Sequence, residues 1–205
     1  MNLTYFNLPL DKQKKIMNAG YKLFAMYPYK KASVSAITGE ANVSKSLLFY
    51  YFKNKKEYYL FLFDTAIDSI NEQKSEDTKK YDLFELINQT VERRLKMIHD
   101  YPYLYKFATR AYYETYEDVK FELDKKKERM NQIGKEEILN LVEHYKFKNP
   151  CDVKILIDLI ICTAEGCMRG GEDLDIVKTQ EIVTEFKCMM ESLKNHYYKK
   201  EYLIN

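Results

Sequence analysis

The 205-residue chain lacks tryptophan and carries only four cysteines, four prolines and six glycines. So few glycines and prolines exclude turn-rich sandwiches and propellers, which reverse direction roughly every ten residues. The cysteines, at 151, 162, 167 and 188, form no C-x-x-C pair and fall within helical patterns. Buried, reduced thiols are expected, rather than disulfides or zinc ligands. Apolar stretches are broken by charges well short of the ~20 residues of a membrane span. No apolar run precedes a small-residue cleavage site near Met1, so a cytoplasmic protein without a membrane partner is expected. A Gly-rich phosphate loop, G-x-S-x-G and H-E-x-x-H are all missing. His99, His144 and His196 are isolated in the sequence, which predicts no enzyme, no metal site and no cofactor. Acids are scarce in one region. Residues 1–56 hold only Asp11 and Glu40 against ten lysines. That surplus of eight positive charges leaves the remainder negative by six, within a chain of net +2. Such asymmetry points to a basic segment that meets a polyanion.

What is present is helical periodicity over a 46% hydrophobic composition, enough for a sizeable core. Asp11–Tyr27 carries Ile16, Ala19, Gly20, Leu23 and Phe24 on one stripe, and Pro28 ends it. Ser33 caps a short second helix with Val34, Ile37 and Ala41 inward, and Ser44 caps a third with Leu47, Leu48, Tyr51 and Phe52. Asn54 opens a fourth helix to about residue 71. Residues 73–80 read as a linker, and further helices follow over 81–100, 102–114, 118–145, 152–169 and 176–197. Gly170-Gly171 is the expected stop of the eighth. The fold class is all-α with about nine helices. The charge split divides the chain into two parts, a basic one over 1–56 and an acidic one over 57–205.

Two short helices joined by a tight turn in a basic segment are the sequence form of a helix-turn-helix. The turn requires positive φ, for which Asn42 is the best choice after glycine. The wording is more specific than the geometry. Ala19, Leu23-Phe24, Tyr29, Ala32-Ser33-Val34, Ile37, Glu40–Lys45 and Leu48–Glu57 occupy a recurring order, densest in V-S-K-x-x-L-F-Y-Y-F-K-N-K-x-E. Residues 16–60 thereby resemble the DNA-binding domain of the tetracycline-repressor (TetR) family. Pro28 and Asn42 stand where the family often has glycine, Leu47 where it often has Thr and Tyr51 where it often has His. The resemblance implies a ligand-responsive transcriptional regulator, most simply a repressor, binding a palindromic double-stranded DNA operator as a homodimer. A small hydrophobic or cationic effector would release it. Ser33, Tyr50, Lys53 and Lys55 are implied as phosphate contacts. Ser44, Lys45, Ser46, Leu47 and Phe49, with Tyr51 as a further candidate, are implied as groove-facing. From packing alone, Leu48 and Phe52 belong to the core, and Phe49, Tyr50 and Tyr51 cannot all point inward.

The acidic remainder is rich in aromatics, seven of them between Tyr101 and Tyr116. The resemblance implies a ligand cavity, for which Tyr59, Phe63, Tyr103, Phe107, Arg110 and Tyr113 are candidates. With Glu114, Glu117 or Glu165 nearby, an aromatic box would suit a lipophilic cation. An ordinary aromatic core is the competing reading. Helices 152–169 and 176–197 are the dimer candidates, through Leu156, Ile160, Ala164, Cys167, Phe186, Met190 and Leu193. Ile155, Leu159 and Cys162 form a second apolar strip, more than one core requires. A function of another class fits the same composition: a helical small-molecule or lipid carrier whose basic end touches anionic membrane or RNA.

Overall fold

The structure, a computed structural model, describes residues 2–71, 80–168 and 176–203. Among them are nine α-helices: α1 (Leu10–Met26), α2 (Val34–Ala41), α3 (Lys45–Phe52), α4 (Lys55–Asn71), α5 (Leu83–Asp100), α6 (Pro102–Tyr112), α7 (Glu117–Leu141), α8 (Asp152–Met168) and α9 (Ile176–Tyr197). The expected linker lies outside the described residues except for Lys80, as does the Gly170-Gly171 stop. Among the described residues, no helix is long and apolar enough to cross a membrane.

Packing divides the chain into two compact units. One comprises residues 1–74 and 97–127, the other 75–96 and 128–205. In the first, α1 lies against α2, α4 and α6. Its apolar stripe of Ile16, Ala19, Leu23 and Phe24 is buried, as the spacing requires. Gly20 is where α4 comes closest. A Cβ there would stand 2.3 Å from the Tyr58 hydroxyl and 2.4 Å from Leu62 Cδ1. The phenol of Tyr58 fills that gap and donates to the Ile16 carbonyl at 2.5 Å, which satisfies both groups in the core.

The second unit has its own core. Leu83 and Phe84 of α5, Val153, Leu156, Ile157 and Ile160 of α8, Phe186 and Met190 of α9, and Val142, Phe147 and Tyr198 pack together. The Tyr198 hydroxyl accepts the Leu83 N–H at 3.2 Å. Lys146 bridges Asp82 at 3.1 Å and Glu143 at 2.6 Å.

The cysteines depart from expectation. Cys151, Cys162 and Cys188 are exposed and Cys167 is half-buried, all four as free thiols. Cys162 and Cys188 lie on outward positions of α8 and α9, Cys151 lies in the turn before α8, and Cys167 packs against the second core.

Candidate nucleic-acid interface

The helix-turn-helix forms by local rules. The Ser33 hydroxyl accepts the Ala36 N–H at the start of α2, and the Ser44 hydroxyl accepts the Leu47 N–H at 3.1 Å at the start of α3. Between them Asn42 is left-handed, with φ 53° and ψ 49°. Its N–H donates to the Gly39 carbonyl at 3.2 Å, and the Val43 N–H to the Thr38 carbonyl at 3.0 Å. That pair of bonds closes the helix end and turns the chain sharply into α3.

α3 has two faces. Leu48, Tyr51 and Phe52 are buried, whereas Ser44, Lys45 and Ser46 are exposed and Leu47 and Phe49 partly so. Tyr50 is 57% exposed, and Tyr51 only 6%. Of the adjacent aromatics, Tyr50 therefore faces outward and Tyr51 belongs to the core. Lys45 Nζ lies 5.7 Å from the centre of the Phe49 ring, one turn along the exposed face.

Lys53 ends α3 with φ 60° and ψ −52°. The Asn54 N–H donates to the Phe52 carbonyl at 2.7 Å across it. This is a three-residue γ-turn of the strained hand, imposed on a residue with a Cβ. It starts α4 at once and leaves the Lys53 side chain exposed.

Lys55 is placed differently from the expectation of a phosphate contact. Its ammonium donates to the Tyr29 carbonyl and lies 4.6 Å from the Tyr29 ring centre and 6.0 Å from that of Phe24. Burial pulls its pKa below the ordinary lysine value, with Asp118 and Glu114 opposing the shift. Lys55 is thus half-buried and engaged within the protein, so of the three lysines expected at DNA Lys45 and Lys53 are the exposed ones. Tyr29, in the turn after α1, is a hub that sequence reasoning missed. Its N–H donates to Glu114 at 3.1 Å and its hydroxyl to Asp118 at 2.7 Å. Lys56 pairs with Glu122 at 2.7 Å in the same region. No sequence pattern signals pairs some 60–90 positions apart.

The proposed ligand residues do not form one box. Tyr59, Phe63 and Phe107 are core side chains, with Tyr59 and Phe107 rings 5.2 Å apart. Tyr103 is 47% exposed, and Arg110 and Tyr113 are half-buried. Two of the three acids suggested as counter-charges are in use: Glu114 holds Tyr29, and Glu165 meets Asn131; Glu117 is exposed at the start of α7. The ordinary aromatic core describes Tyr59, Phe63 and Phe107.

The expected dimer residues also require correction. Leu156, Ile160, Phe186 and Met190 are buried in the second unit's own core, and Ala164, Cys167 and Leu193 pack against it. The outward face of α8 is instead the second strip, with Ile155 65% and Leu159 44% exposed, followed by exposed Cys162 and Gly166. On α9, among the described residues, Met189 is an exposed large apolar side chain. The monomer's core takes the first stripe, so the strip left over faces out.

Comparison with known proteins agrees with this geometry. Residues 16–60 match the family described as bacterial regulatory proteins, tetR family. An uncharacterized HTH-type transcriptional regulator of Bacillus subtilis (strain 168), YhgD, is 29% identical over 69 residues. That stretch is 34% of this chain and 36% of the relative, so the match spans about a third of its length. Among solved structures, the fold is similar to MexZ, a key repressor responsible for antibiotic resistance in Pseudomonas aeruginosa. The TM-score is 0.71 at 15% identity, over 96% of this chain and 100% of that one. It is also similar to the fatty acid degradation regulator FadR of Bacillus halodurans, with a TM-score of 0.65 at 19% identity over 89% and 96% of the two chains. Residues 16–60 are thus a DNA-binding segment of the kind found in the tetR family of bacterial regulatory proteins, carried on an all-helical fold similar to solved members of that family.

Proposed function

We propose that this protein is a cytoplasmic transcriptional repressor, not an enzyme, that binds a palindromic operator as a homodimer. The observation that carries the reading is the exposed face of α3, doubly anchored at its start by Asn42 and Ser44 and bearing Lys45, Ser46, Phe49 and Tyr50 with Lys53 at its end. Ser44, Lys45, Ser46, Leu47 and Phe49 meet the major groove; Leu47 offers apolar contact such as a thymine methyl accepts. Ser33, Tyr50 and Lys53 meet phosphates and set the register. Residues 1–56 are the DNA-contacting segment, and 57–205 provide effector binding and dimerisation. Two copies place their α3 helices in successive grooves about 34–36 Å apart. The second copy docks through Ile155, Leu159, Cys162 and Gly166, where a Cβ at Gly166 would meet nothing within 4 Å and a neighbouring helix has room. A small effector, hydrophobic or cationic, shifts the population toward a form whose heads miss the grooves.

The test is a gel shift on duplex DNA flanking the protein's own coding region, with an unrelated duplex of equal length as competitor. Sequence-selective retention is expected. Lys53→Ala should weaken binding to every sequence and flatten the logarithmic salt slope by about one unit. Salt-sensitive binding with no preference between the two duplexes overturns the proposal and favours the helical carrier.

A further inference from the structure

Residues 2–9 precede the stretch that matches the family, yet they are built into the reading head. A 3-10 segment, Leu3–Asn7, opens at Asn2, whose side chain accepts the Thr4 N–H at 3.1 Å. The segment is tied to α1 by reciprocal bonds. The Tyr5 hydroxyl donates to the Gln13 carbonyl at 3.1 Å, and the Gln13 amide donates back to the carbonyls of Phe6 and Leu8 at 3.2 and 2.9 Å. It is equally tied to the far end of α3. The Asn2 N–H donates to the Tyr51 carbonyl at 2.7 Å, one of the carbonyls that a helix C-terminus leaves without an intrahelical partner. The Tyr5 ring is buried and stands 5.7 Å from the ring of Tyr51, 5.0 Å from that of Phe52 and 5.4 Å from that of Phe61.

Every part of this contact falls on the last turn of α3 or on α4 beside it. The start of α3 is fixed by Ser44 and the Asn42 turn. Its end is fixed by the γ-turn at Lys53 and by this segment from outside the motif. Tyr51, which the family pattern offers as a candidate groove contact, has its ring covered by Tyr5. Its neighbour Tyr50 is left as the exposed tyrosine. A short helix held at both ends cannot change its direction of approach to DNA without breaking one of these contacts.

We propose that Asn2–Pro9 is a positioning element for DNA reading: it caps the end of α3, seals Tyr51 into the core and so makes Tyr50 the tyrosine presented to DNA. The proposal rests on the DNA-reading function above and adds that sequence preference depends on residues outside the helix-turn-helix.

The experiment compares the full-length chain with Tyr5→Ala and Tyr51→Phe. The DNA probes are a pool of duplexes with a randomised central stretch and one fixed random-sequence duplex titrated across salt. Hydrogen exchange is measured on the same samples. Tyr5→Ala should bind the fixed duplex within about twofold of the parent with an unchanged salt slope. It should discriminate within the pool about tenfold less, the scale of one lost base preference. The amides of α3 should exchange faster while those of α8 and α9 do not change. Tyr51→Phe should enrich the parent motif. Enrichment of the parent motif by Tyr5→Ala with undiminished discrimination overturns the proposal, as does a new motif with Tyr51→Phe or unchanged exchange in α3. If the parent enriches no motif, the DNA-reading function fails instead, and exchange in α3 still decides whether the segment clamps that helix. Should Tyr5→Ala not fold, Asn2→Pro makes the same comparison. It removes the N–H that reaches Tyr51 at a φ of −90° that proline nearly adopts, and leaves Tyr5 in place.

Discussion

The hydroxyl of Tyr29 donates a 2.7 Å hydrogen bond to the carboxylate of Asp118, across 89 positions of sequence. The bond ties the turn after α1 to the first turn of α7, next to the Glu114 carboxylate that accepts the Tyr29 N–H. Tyr29→Phe keeps the ring among Phe24, Tyr59 and Tyr116 and deletes this bond alone. Asp118 is exposed and regains water, so the loss should be about 1 kcal/mol, or roughly 2–4 °C in Tm. A thermal melt of the variant checks this, and an unchanged midpoint would mean that the bond adds no net stability.

Alkaline pH should unfold the protein through its buried phenols. Burial raises Tyr5, Tyr21, Tyr29, Tyr58 and Tyr198 above the ordinary value of 10.0, with Asp118 adding to the effect at Tyr29. In the unfolded chain these groups release their protons near pH 10; in the native state they keep them. The native state then holds more protons, so stability is full below that pH and falls above it. The slope is about 1.4 kcal/mol per pH unit for each phenol that stays protonated. Urea midpoints should be flat up to about pH 9 and drop beyond about pH 10. Tyrosinate absorbance from these five should appear only as helicity is lost; their ionisation in a fully helical protein would contradict the prediction.

Two properties of Lys53 separate under mutation. Lys53→Gly removes both the Cβ from the γ-turn and the proposed phosphate contact. Lys53→Ala removes only the contact. Lys53→Gly should therefore melt on the order of 2–4 °C above Lys53→Ala, corresponding to about 1 kcal/mol of relieved strain. Both should lose about one unit of salt slope on DNA. Equal melting temperatures would show the turn to be unstrained.

The two stripes of α8 should respond oppositely. Leu159→Glu, on the exposed strip, should leave thermal stability at low concentration unaltered and shift the sedimentation coefficient from dimer to monomer. Leu156→Ala, inside the core, should cost about 2–5 kcal/mol of unfolding free energy. A dimer that survives Leu159→Glu would refute the assignment of the face.

The head was readable because its determinants are local. A serine cap, an αL-tolerant Asn42 and alternating buried and exposed positions in α3 lie within a few residues of one another, and each has a physical signature in composition. The stripes of α8 were visible as stripes, but periodicity does not say which apolar face the monomer uses. That depends on partners as distant as Leu83 and Tyr198. Aromatics failed as site markers for a related reason. Tyr59, Phe63 and Phe107 have the same composition in a core as in a box, and only packing separates the two. The inward turn of Lys55 and the Tyr5–Tyr51 contact were hidden because each depends on a long-range neighbour.

The packing unit that holds the helix-turn-helix is discontinuous in sequence, since residues 97–127 return to it and place α6 against α1 and α4. The head is therefore not a transplantable cassette. A chimera joined just after α4 would expose the flank that Phe107, Ala108 and Ala111 cover. Exchange of operator specificity between such proteins calls instead for swapping the outward residues of α3 in place, together with whatever braces its far end.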